Sequence, residues 1–119
     1  MGDVVLIDLR KGLPEIKPKE NSHCFFIVEH SDDKCFMREV AQRLLTGKCK
    51  DHHFYGRYAG EWEMAFDETD ITLHDNEEDW SVTSLWQTQK DFQVVLSLQV
   101  ETSERVYLFF DADIRGALK

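Results

Sequence analysis

The stretch CFFIVEHSDDKCFMREVAQRLLTG, residues 24–47, decides the fold. Its opening, Cys24-Phe25-Phe26-Ile27-Val28, is a continuous apolar run of strand length, without the alternation of a strand that has one wet face. Such a strand needs cover on both sides. Ser31-Asp32-Asp33 then offers N-cap side chains and negative charge where a helix begins. Phe36, Met37, Val40, Ala41, Leu44 and Leu45 follow at helical spacing, opposed by Lys34, Arg38, Glu39, Gln42 and Arg43. Gly47 sits where a left-handed residue would end the helix, with Lys48 and Lys50 near its carbonyl end. A doubly covered strand followed by an amphipathic helix is the opening of a βαβ unit.

Downstream, His52–Tyr58 reads as a second strand, and Trp62, Ala65 and Phe66 as a short helix behind Glu61 and Glu63. Asp70–Leu73 and Ser81–Trp86 are short strand candidates around the polar loop Asp75–Asp79. Residues 90–101 fit a strand by alternation of Val94, Leu96, Leu98 and Val100. They also fit a helix, with Thr88-x-x-Asp91 resembling a capping box and Phe92, Val95, Leu96 and Gln99 on one face. Arg105–Phe110 is again continuously apolar, and helices between parallel strands are what cover such strands. The helix is therefore preferred. The expected fold is a three-layer α/β sandwich with a mostly parallel sheet of four to five strands, α+β being the alternative. Pro14 and Pro18 punctuate residues 1–23, which are expected to form an N-terminal arm or edge strand ahead of a single domain at 24–119.

Charge narrows the function. The chain of 119 residues carries a net charge of −9, and its apolar content of 42% is enough to build a core. Residues 61–91 hold ten acids against one base, Lys90, so the whole net charge lies in about a quarter of the chain. A field of that sign repels nucleic-acid phosphates and anionic membranes and attracts basic proteins. No apolar run approaches the roughly 20 residues that cross a bilayer. The first residues carry acids where a signal peptide is positive, so the expected location is cytoplasmic.

Catalytic signatures are missing. There is no G-x-S-x-G, C-x-x-C, H-E-x-x-H, phosphate loop or dinucleotide glycine turn in the sequence. The carboxylates sit in polar stretches, whereas a general acid needs a desolvated one. Cys24, Cys35 and Cys49 cannot all pair within one chain and read as reduced thiols. The densest potential metal cluster is Cys49-x-x-His52-His53. On a strand the two histidines point to opposite faces, so neither a resident metal nor another cofactor is expected.

From Leu44 to Phe110 the order LLTGKC…FYGRYAGEWEMAFDETDI…SVTSLWQ resembles a group of small bacterial α/β proteins that supplies no activity to carry over. Here Gly47-Lys48-Cys49 replaces that group's contiguous Gly-Cys. In size, acidity and lack of catalytic motifs the chain is also similar to immunity proteins of bacterial toxin systems, including contact-dependent inhibition. That likeness implies a non-enzymatic inhibitor bound to a cognate toxin, expected to be basic and of nuclease type. The expected contact residues are Glu61, Trp62, Glu63, Asp67, Asp70, Asp75, Glu77, Glu78, Asp79 and Trp80, the tryptophans as anchors within an acidic rim. The competing expectation is a small regulatory or enzymatic domain with a ligand at the C-terminal edge of the sheet.

Overall fold

In the computed structural model, which describes residues 3–16, 18, 22–47, 49, 51–102 and 105–114, five strands form one sheet in the order β1-β5-β2-β3-β4. They are β1 (Asp3–Asp8), β2 (His23–Ile27), β3 (Asp51–Tyr55), β4 (Val82–Trp86) and β5 (Arg105–Phe110). Every neighbouring pair is parallel. The helices are α1 (Lys34–Thr46), α2 (Ala59–Leu73) and α3 (Gln89–Thr102).

Chain direction and handedness explain the three layers. The path β2-α1-β3-α2-β4 moves one way across the sheet, so right-handed crossovers put α1 and α2 on one face. The return from β4 to β5 runs the opposite way and puts α3 on the other face. The residues of β2, with Val28 directly after it, divide accordingly. Cys24, Phe26 and Val28 enter the core beneath α1 and α2, with Met37, Val40, Leu44, Phe54, Trp62 and Phe66. Phe25 and Ile27 enter the core beneath α3, with Phe92, Leu96, Val106 and Leu108. The continuous apolar runs are therefore buried from both sides, as expected. Phe36 and Phe110 are only half-buried and pack at the core margins.

Residues 89–102 are helical, and the Thr88 hydroxyl accepts from the Asp91 N–H at 3.2 Å, which supplies one half of the capping box. Of the two options for the N-terminal segment, the edge strand is found: β1 pairs with β5 along all six of its residues. Asp33 caps α1 by accepting from the Cys35 and Phe36 N–H groups.

Two local expectations are corrected. Gly47 is not left-handed: its φ of −80° and ψ of 1° extend the helical turn, and its N–H bonds back to Arg43 and Leu44. Lys48 and Lys50 lie outside the described residues. Asp70–Leu73 is not a strand but the last turn of α2. Its β-branched residues favour strand locally, yet no Gly or Pro interrupts Glu61–Leu73, and the Thr69 and Thr72 hydroxyls donate to the carbonyls of Ala65 and Glu68.

The β3–α2 turn requires glycine. Gly56 has φ +124°, and a Cβ there would stand 2.7 Å from the Val28 carbonyl oxygen. That close approach lets the Tyr58 N–H reach the same oxygen at 2.9 Å and aims α2 across the sheet.

Candidate functional site

The 61–91 segment is mostly α2 and the loop that follows it. Glu61, Asp67 and Glu68 are exposed on the helix, and Asp75, Glu77, Glu78 and Asp79 are exposed on the loop, whose residues 77–79 form one 3-10 turn. None of these seven carboxylates makes an ion pair with a described residue. Glu61 sits in the first turn of α2, where a carboxylate suits the helix dipole, whereas the four loop carboxylates follow the C-terminus of the helix. The α2 C-terminus carries the negative pole of the helix dipole and has no basic residue in its last turn.

Two expected contact residues, Trp62 and Asp70, are buried, and a third, Trp80, is half-buried. Trp62 is fully buried, tilted against Phe26 at 5.6 Å and edge-on to Phe36 at 6.0 Å, and its indole N–H donates to the Ser31 carbonyl at 2.9 Å. It is a core residue and cannot anchor a partner. Flanking glutamates suggested exposure, but on a helix residues i−1 and i+1 point away from the face of residue i. Asp70 is also buried, and its carboxylate accepts from the Ser81 hydroxyl at 2.6 Å and the Ser81 N–H at 3.2 Å, tying the acidic loop to the helix. Trp80 is half-buried and fixed by an indole N–H bond to the His74 carbonyl at 3.0 Å. The sequence reasoning missed two side chains on this surface: Met64 is 61% exposed and Ile71 60%. Helical spacing, Met64–Asp67–Ile71, is the signal that reveals them once α2 is extended to Leu73.

Glu63, half-buried on α2, has its carboxyl raised above the ordinary glutamate range, first by burial and then by the Asp67 carboxylate one turn on. A carboxyl raised on folding holds its proton more tightly in the native state. The charged form therefore costs stability at neutral pH, and the cost disappears as pH falls below the raised value. Glu63→Gln is expected to stabilise the free protein by about 0.3 kcal/mol at pH 7, the scale of a like-charged i,i+4 pair. Thermal melts at pH 7 and pH 4 check this, with the gain vanishing at the lower pH.

Polar clusters at the sheet form the second set of candidates. The Trp86 indole N–H donates to His53 Nδ1 at 3.0 Å, which leaves the imidazole proton on Nε2 to bond Asp51 Oδ2 at 2.9 Å. His23 Nδ1 bonds the same oxygen. Burial raises the Asp51 carboxyl, but the two imidazoles more than offset this and hold it below the ordinary range. On the opposite face, as the strand geometry requires, His52 is fully buried beside Cys24 and Cys49. The Cys24 and Cys49 sulfurs stand 2.9 Å apart. Burial pushes the Cys24 thiol up, whereas the hydrogen bond from Cys24 and the neighbouring His52 pull Cys49 down. Sequence reasoning missed this convergence because it looked for ligand pairs within one strand, and Cys24 comes from the adjacent one. Cys35 is exposed and stands apart.

At the C-terminal edge, connections leave β3 and β4 on opposite faces, through α2 and α3, so the switch point where α/β folds place ligands lies between these two strands. Asp111, directly after β5, makes an internal contact at the same edge. It is buried and accepts the N–H groups of Glu29, His30 and Ser31 at 2.8, 3.0 and 2.7 Å. A shallow cavity of about 440 Å³ remains along the same edge, beyond β3, lined by Gly56, Arg57, Gly60 and Trp86 among others.

Among the described residues no helix is long and apolar enough to cross a membrane. Comparison with protein-family models, curated proteins and solved structures finds no match.

Proposed function

We propose that the chain is an inhibitor of the immunity type, acting in the cytoplasm by binding a basic, nuclease-type toxin through the exposed face of α2 and the 75–79 loop. The observation that carries this reading is that the exposed carboxylates of Asp75, Glu77, Glu78 and Asp79, which make no ion pair with a described residue, follow the negative pole of α2. Folding stability favours Lys or Arg there, each worth about 0.3–1 kcal/mol, so the arrangement costs the free protein and benefits a cationic partner. Met64, Ile71 and the exposed part of Trp80 supply apolar contact within the acidic rim. A nuclease presents a positive substrate path, and an acidic surface of this kind occludes it by charge complementarity.

The competing reading, a ligand domain at the C-terminal sheet edge, has less support, because the cavity at the β3–β4 switch point is shallow. The reading is tested by co-expressing the chain with the product of the gene directly upstream of its own, the position that the immunity reading assigns to the toxin. Cells are expected to survive with the chain and to die without it. Death despite abundant folded chain would contradict the proposal.

A further inference from the structure

We propose that Cys24, Cys49 and His52 form a binding site for a thiophilic divalent cation of the zinc class. The three come together for topological reasons. Cys24 and His52 are register partners on β2 and β3, and Cys49 lies two residues before β3. One ligand atom from each lies within 4.8 Å of the others, and all three residues are buried. Atoms on a sphere of zinc–sulfur radius, about 2.3 Å, stand at most about 4.6 Å apart, so the donors already span close to a coordination shell. The Cys49 thiol also lies 3.6 Å from the carbonyl oxygen of buried Ser22.

The sulfur spacing alone fits two chemistries. At 2.9 Å it lies between the roughly 2.05 Å of a disulfide and the roughly 3.8 Å edge of a tetrahedral thiolate site, about 0.9 Å from either. His52 decides between them. Neither of its ring nitrogens has a hydrogen-bond partner among the described residues, and it lies against the Phe66 ring at 4.7 Å. A buried imidazole without partners is costly, and a disulfide would leave it so. A metal takes up the lone pair of one ring nitrogen. Charge also balances: two thiolates and a neutral imidazole around a divalent ion leave the dry site neutral, and any proton still on either thiol goes to solvent. This site is independent of the inhibitor reading.

The test is titration of the reduced, full-length chain with Co2+ as the probe, followed by displacement with Zn2+. The expected result is one Co2+ per chain, with a thiolate-to-cobalt charge-transfer band and four-coordinate d–d bands that Zn2+ abolishes. Zn2+ should raise the melting temperature by several degrees. Cys49→Ala is expected to weaken binding at least 100-fold and Cys35→Ser to leave it unchanged. His52→Cys, which keeps a ligand if His52→Gln fails to fold, should retain the metal with a stronger charge-transfer band. Absence of the band in the folded wild type overturns the proposal, as does zinc affinity unaltered in Cys49→Ala. Recovery of the chain with a Cys24–Cys49 disulfide that prevents metal uptake even after reductant treatment also overturns it.

Discussion

Trp62→Ala is expected to destabilise the free protein by about 3–5 kcal/mol, the cost of removing a fully buried aromatic side chain from a packed core. The indole is fully buried among aromatic rings from β2 and α1, and its N–H is the donor that the Ser31 carbonyl receives. Alanine leaves a cavity between α2 and the sheet together with an unpaired carbonyl. Against a total stability of about 5–15 kcal/mol for an ordinary domain, that is a third or more. Chemical denaturation checks it. Trp80→Ala is the control, since Trp80 is half-buried at the surface and its loss should cost less stability than that of Trp62. Equal losses at the two positions would mean that the aromatic assignment is wrong.

Asp111→Ala should have an effect nearly as large, about 3–4 kcal/mol. One buried carboxylate satisfies three consecutive N–H groups, those of Glu29, His30 and Ser31. Bonds to a charged acceptor contribute about 1.5–3 kcal/mol each, and partial rehydration of the freed loop recovers some of that. Asp111→Asn should fall short of full rescue, because an amide presents a single acceptor oxygen and its NH2 group faces donors. Hydrogen exchange at residues 29–31 is the local readout. Protection there should collapse in Asp111→Ala, while β3 remains protected relative to its own global stability.

The two cores were legible because Cys24–Val28 and Val106–Phe110 are apolar at every position, which only a doubly covered strand tolerates. The helix at 89–102 followed from the same need for cover, against a residue alternation that fitted a strand equally well. The end of α2 was not legible. Ile71 and Thr72 carry strand propensity, and the contact that ties this last turn to the following loop, Asp70 with Ser81, joins residues eleven apart. The acidic surface could be read as charge but not as shape: which of two tryptophans is buried depends on helix phase, and phase depends on where α2 begins. The Cys24–Cys49–His52 cluster depends on strand adjacency, which spacing along the chain does not encode.

The central claim is that the face built from α2 and the 75–79 loop meets a basic protein. Its most direct test is the stopped-flow association rate with the proposed basic partner, at about 0.01 M and about 0.15 M salt, where the Debye length falls from about 30 to about 8 Å. The wild-type rate should drop roughly tenfold or more across that range. The Glu77→Lys, Glu78→Lys, Asp79→Lys triple variant should associate roughly tenfold or more slowly at low salt, with little change in dissociation rate, since rim charges act on encounter. A triple variant that associates as fast as wild type at low salt would contradict the account.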